Sequence, residues 1–131
     1  MPYIRPARIE DRASCIAIAK MYPDTRTFSA PWYSGEENFV ESNNVWVLDE
    51  GDVAGFYFAR FKRRDYVVTL DYIAVAIPGH GMGVDLLDHL KTRVRLSGTH
   101  QVIKSKVGKR STNFWLRNGF ELEDNRGTWS T

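Results

Sequence analysis

The spacing of apolar and polar positions changes several times along this chain, and each change marks an element. "YIRPA" (Tyr3 to Ala7) reads as a short strand with Pro6 near its end, and "EDRASCIAIAKMY" (Glu10 to Tyr22) as a helix rich in small apolar residues. "YPDTRTFSAPW" is loop by its prolines and polar residues. Ser34 followed by Glu37 has capping-box spacing and predicts a short helix to about Glu41, with Phe39 and Val40 inward. The period then drops to two. "NVWVLDE" and "VAGFYFARFK" are predicted strands joined by the hairpin signal "EGD", and "RRD" connects tightly into "YVVTLDYIAVA" (Tyr66 to Ala76). These make a three-strand antiparallel meander, and the nearly continuous apolar character of its third strand places that strand at the centre of a sheet.

Beyond it, Leu87, Leu90 and Val94 recur at helical spacing, with Asp85, Asp88, Lys91 and Arg95 for an outer face and Gly98 at the stop. "QVIKSKV" (Gln101 to Val107) alternates as a strand. "KRSTNFWLRN" forms a short helix ended by Gly119, and "FELE", "DNRG" and "TWST" form a closing hairpin. The predicted class is α+β: one domain over residues 1–131, built on a mixed, mostly antiparallel central sheet of roughly six or seven strands with about four helices. The strands flanking the long helix are expected to lie parallel, joined by a right-handed crossover.

Composition narrows the function classes. Hydrophobic residues make up 43% and aromatics 13%, enough for one real core. A net charge of +2 does not by itself imply nucleic acid, although "RFKRR" (Arg60 to Arg64) and the segment Lys91 to Arg110 are densely basic. These clusters are either solvated surface or an anion-binding face. Cys15 is the only cysteine and lies in an apolar helical run, which predicts a buried thiol and suits a reducing compartment. His80, His89 and His100 lack metal-ligand spacing, so no metal site is expected. Without a membrane-length apolar run or an apolar leader segment, the expected location is the cytoplasm.

Between the third strand and the long helix stand Gly79, Gly81 and Gly83 on alternate residues. A strand, a glycine turn and a helix N-terminus make an anion site, because first-turn amides and the helix dipole both favour negative charge. A phosphate or pyrophosphate is the natural guest. A tight turn needing positive φ is the alternative, and it accounts for one glycine more readily than for three. The P-loop pattern would need a lysine that is absent here. The dinucleotide fingerprint needs G-x-G-x-x-G, whereas this spacing is G-x-G-x-G and the next strand carries Lys104 and Lys106.

"GHGMGVDLLDHL", preceded by the apolar strand end "YIAV", resembles the acetyl-CoA loop of the GNAT acetyltransferases, whose pattern is [R/Q]-x-x-G-x-[G/A]. "NFWLRNGF" (Asn113 to Phe120) resembles that family's later helix signature, and the order of elements matches from "YIRPARIEDRASCIAIA" onward. The resemblance implies a three-layer fold with splayed central strands, acetyl-CoA as cofactor and N-acetylation as the activity. It implies that Ile73, Ala74 and Val75 pair with pantetheine, that Gly79, His80, Gly81, Met82, Gly83 and Val84 hold the pyrophosphate, and that Asn113 and Trp115 line the other side. Two positions depart from the pattern. Pro78 stands where the family has Arg or Gln and cannot donate a hydrogen bond. Trp115 stands where many members carry a tyrosine, and its indole cannot supply a proton to a leaving thiolate.

The implied reaction is direct attack of a primary amine on the thioester in a ternary complex. Asp71 is the one carboxylate in the apolar third strand, which makes it either the base or half of an ion pair with a nearby arginine. A period of two puts Thr69, Asp71, Ile73 and Val75 on one face. Trp32 and Tyr33, by position, with Tyr57 and Ser105, are the expected acceptor-side residues. Two rival readings are kept: a GNAT-fold enzyme that modifies a nucleic acid or nucleobase, and a catalytically silent acyl-CoA-binding module. A homodimer is a further expectation, since C-terminal strands of such sheets often pair between chains.

Overall fold

The computed structural model describes residues 2–22, 44–61, 66–108 and 111–131. The expected helix from Ser34 to Glu41, and with it Trp32 and Tyr33, lies outside the described residues. The strands are β1 (Tyr3–Pro6), β2 (Val45–Asp49), β3 (Val53–Phe61), β4 (Val67–Val75), β5 (Val102–Lys106), β6 (Glu121–Glu123) and β7 (Arg126–Ser130). A short 3-10 turn (Ile9–Asp11) leads into α1 (Arg12–Ala19), and α2 (Met82–Leu96) and α3 (Thr112–Arg117) complete the described helices. The seven strands form one sheet in the order β1-β2-β3-β4-β5-β7-β6, with β4 in the middle as its apolar run requires. Only the β4–β5 pair is parallel, and α2 is the crossover between its strands. No helix among the described residues is long and apolar enough to cross a membrane.

Each face of the sheet carries its own apolar layer. The α2 stripe Leu86, Leu87, Leu90 and Val94 is fully buried against Tyr57, Ala59, Val68, Leu70 and Ile103. On the opposite face, Cys15, Ile18 and Ala19 of α1 pack on Val45, Val47, Phe56, Phe58, Tyr72 and Ala74. The Cys15 thiol is therefore a core group, and burial pushes its pKa upward. Arg5 ties the N-terminal strand down by hydrogen bonds to both oxygens of Asp11 (2.7 and 3.0 Å) and to Asp49 (3.0 Å).

One irregularity in β4 changes how its residues must be read. Phe58 pairs with Tyr72, but the next residue, Ala59, pairs with Leu70, so Asp71 is an extra residue in the ladder. This β-bulge reverses the alternation. Before it, Val68 and Leu70 face α2. After it, Tyr72 and Ala74 face α1, while Ile73 and Val75 pack on the α2 side. The expectation that Thr69, Asp71, Ile73 and Val75 share a face is thereby corrected: the bulge at Asp71 separates the last two from the first.

Candidate active site

The parallel strands part at a defined point. Register between β4 and β5 runs from Val67↔Val102 to Leu70↔Ser105 and stops there, although β4 continues to Val75. At the parting point the Ser105 hydroxyl donates to the carbonyls of Leu70 (3.0 Å) and Lys106 (3.2 Å). Beyond it, β4 is paired on one side only among the described residues. The Ala76 amide donates to the Ala54 carbonyl (2.8 Å), and the Phe56↔Ala74 register keeps the same phase. In an antiparallel ladder the alternate residues then turn their backbone groups the other way. The amide and carbonyl groups of Ile73 and Val75 are thus aimed into the gap left by β5. Tyr22, at the end of α1, donates its hydroxyl to the Val75 carbonyl (2.6 Å). Nothing in the sequence announces that contact, which spans 53 positions.

The glycine turn stands at the open end of this gap. Gly79 (φ 86°) and Gly81 (φ 77°) both adopt the left-handed conformation, and an added Cβ at either would meet no atom of a described residue within 4 Å. The space beside the turn is open, as an incoming ligand needs. Gly81 is the N-cap of α2, and the first ladder bond is Asp85 N–H to the Gly81 carbonyl (3.0 Å). The amides of Met82, Gly83 and Val84 therefore have no partner within the helix and sit at its positive pole. Gly83 has a packing role: a Cβ there would come within 3.2 Å of the Phe114 ring, so glycine lets α2 and α3 approach. Pro78 and His80 are exposed on the turn.

The remaining predicted residues divide. Asp71 is bound through both oxygens by Arg60 (2.6 and 3.0 Å), with its side chain 20% exposed, so the carboxylate is both ion-paired and reachable. Ser105 is at the base of the gap, and Asn113 is exposed on α3. Trp115 does not line the gap. It is buried, edge-on to Phe114 and Phe120, and its indole N–H donates to Ser111 Oγ (3.1 Å). Tyr57 is likewise misassigned as an acceptor wall: it lies fully buried beneath α2, where its hydroxyl meets His89 Nδ1 (2.9 Å) and accepts from Arg93 (2.9 Å). Burial pushes the Tyr57 phenol up to about 12, against the opposing charge of Arg93. An open cavity of about 500 Å³, lined by Val107, Thr112, Asp124 and Asn125, adjoins the end of β5.

Comparison with known proteins adds one protein similar in sequence and two solved structures similar in fold. The chain is 28% identical over 128 residues to the 5-NmdU N-acetyltransferase of Pseudomonas phage PaMx11, covering 93% of this chain and 89% of that one. No family model matches. Among solved structures, the PaiA N-acetyltransferase of Thermoplasma acidophilum in complex with coenzyme A superposes with a TM-score of 0.78 at 15% identity, covering 100% of this chain and 99% of that one. A GCN5-related N-acetyltransferase from Rhodopseudomonas palustris gives a TM-score of 0.72 at 19% identity, covering 100% and 96%. The parted central strands, the glycine turn and the sheet order together place this chain in the GNAT fold of the N-acetyltransferases.

Proposed function

We propose that the protein is an N-acetyltransferase that moves an acetyl group from acetyl-CoA to a primary amine held in the same complex. The observation that carries this reading is the open edge of β4 leading into the left-handed turn at Gly81 and the first-turn amides of α2. An edge strand pairs with an extended amide-bearing chain, and a helix N-terminus takes a phosphate. A pantetheine arm ending in a pyrophosphate has both features in that order. Ile73 and Val75 would hold the arm, with Ala74 between them, and the turn from Gly79 to Val84 would hold the pyrophosphate. Asn113 would line the opposite side of the arm. Pro78 contributes no donor, so anion binding rests on the backbone.

The thioester supplies an activated acyl carbon. The amine nitrogen forms its bond to that carbon as the carbon–sulfur bond breaks. One proton leaves the nitrogen and one is taken up by the departing thiolate. Asp71 is the proposed acceptor of the first proton, since it lies at the bulge next to the parting point and faces away from α2. Trp115, committed to Ser111, takes no part in the second, and the thiolate is protonated by water.

The phage relative's name supports a more specific acceptor, an amine carried by a modified nucleobase. The test is release of free thiol from acetyl-CoA in the presence of an aminomethyl-bearing pyrimidine nucleoside, beside spermidine and a lysine peptide. Acceptor-dependent release with the nucleoside is the expected result. Binding of CoA with no turnover on any amine would leave the acyl-CoA-binding module as the reading.

A further inference from the structure

The sheet is covered unequally. Among the described residues, the apolar layer on the face opposite α2 joins α1 to β2, β3 and β4 and includes no residue of β5, β7 or β6. The register of those outer strands aligns a row of polar side chains on the face opposite α2. Lys104 is level with Thr69 of β4 on one side and Thr128 of β7 on the other. One step further toward the open end, Lys106 is level with Arg126. Ile103, Val107 and Trp129 point the other way, into the core. Lys104, Lys106 and Arg126 are exposed, and none makes an ion pair with a described residue.

Placing Lys106 directly across from Arg126 costs stability unless an anion lies between them. Glu123 is level with Arg126 on its far side, and Glu121 with Thr128, so carboxylates close the strip along the outer edge. On the inner side, Arg60 is already occupied by Asp71. What remains is a cationic track about two strands wide, running from the level of Thr69 past the parting point of β4 and β5. Lys104 and Lys106 are about 7 Å apart along their strand, a spacing suited to successive charges on a polyanion.

We infer that this track grips the phosphate backbone of a polynucleotide and presents one base at a time to the gap. The inference rests on the proposed nucleobase acceptor and adds the polymer that carries it. A phosphate chain fits better than an acidic protein because backbone phosphates recur at fixed spacing and can bridge Lys106 and Arg126, whereas the flanking glutamates repel a broad anionic surface.

The test measures anisotropy of a labelled, unmodified single-stranded oligonucleotide against salt, without acetyl-CoA. The proteins are the wild type, a Lys104→Gln/Lys106→Gln/Arg126→Gln triple variant and a Lys20→Gln/Arg95→Gln/Arg117→Gln control. Three phosphate contacts correspond to a slope difference of about 2 in log K against log salt, or roughly twentyfold in the loss of affinity between 50 and 200 mM salt. The triple variant is expected to lose that dependence, and the control to keep it. The triple variant should also keep wild-type turnover on a free nucleoside while losing it on an oligonucleotide bearing the same base. Equal binding by the wild type and the triple variant would overturn the inference, as would equal affinity for polyglutamate. Neither result touches the transferase reading, which falls only if the wild type turns over no amine at all.

Discussion

The Ser105 hydroxyl donates to the Leu70 carbonyl at 3.0 Å, and Leu70↔Ser105 is also the last pair in register between β4 and β5. One side chain thus fastens the two arms at the point where they separate. Ser105→Ala removes the fastening and leaves a buried carbonyl short of a donor. The expected cost is about 1 kcal/mol in chemical denaturation, together with a raised KM for acetyl-CoA. A stability loss with unchanged KM would mean that the fastening does not set the width of the gap.

Asp71 and Arg60 separate chemistry from stability. Their ion pair is half-exposed on the arginine side, so breaking it costs about 0–1 kcal/mol. Asp71→Asn should therefore leave the thermal midpoint nearly unchanged while lowering kcat by about 100-fold or more. KM for acetyl-CoA should not move. A variant that retains kcat would reduce Asp71 to a structural partner of Arg60.

Two glycines resist the same substitution for different reasons. At Gly55 an added Cβ would lie 3.0 Å from the Ala74 carbonyl oxygen and 3.0 Å from Leu86 Cδ1, where α2 rests on the sheet. Gly55→Ala should cost about 1–3 kcal/mol by overpacking. At Gly81 no atom of a described residue lies within 4 Å of an added Cβ, so Gly81→Ala should cost about 1–2 kcal/mol through its positive φ. Urea denaturation of both variants checks the two losses, and a wild-type midpoint in either variant would contradict its stated cause.

Stability should also depend on pH through His89. Burial, and then the charge of Arg93, hold the pKa of His89 below its ordinary value. The unfolded chain, titrating near pH 6.5, binds that proton more readily than the folded one. The contribution of His89 is therefore fully present above about pH 6.5 and is lost as pH falls through the folded value. The wild type should lose more Tm than His89→Gln between about pH 7 and pH 5.5. Parallel curves would contradict the assignment.

Much of this architecture could be read from the sequence, for reasons tied to particular residues. The continuous apolar run from Tyr66 to Ala76 marked β4 as central, and Gly79 and Gly81 marked a turn that two left-handed residues in fact form. The bulge at Asp71 was invisible, because "YIAV" after it is apolar on both faces and an inserted residue leaves no break in the pattern. Aromatic residues misled for a related reason. Tyr57 and Trp115 are amphipathic, and spacing alone does not tell whether a polar tip meets a substrate or a buried partner such as Arg93 or Ser111. The Tyr22 contact to Val75 depends wholly on tertiary approach.

The central claim is that acetyl-CoA binds along the open edge of β4 with its pyrophosphate on the first turn of α2. Isothermal titration of the wild type and of Val84→Glu with acetyl-CoA tests it most directly. Val84 is exposed in the first turn, where a glutamate favours the helix dipole and preserves the fold while placing negative charge against the pyrophosphate. The account predicts saturable binding by the wild type, and a loss of about 100-fold or more in a variant of undiminished Tm. Equal binding by the two proteins, or none by the wild type at millimolar acetyl-CoA, would contradict it.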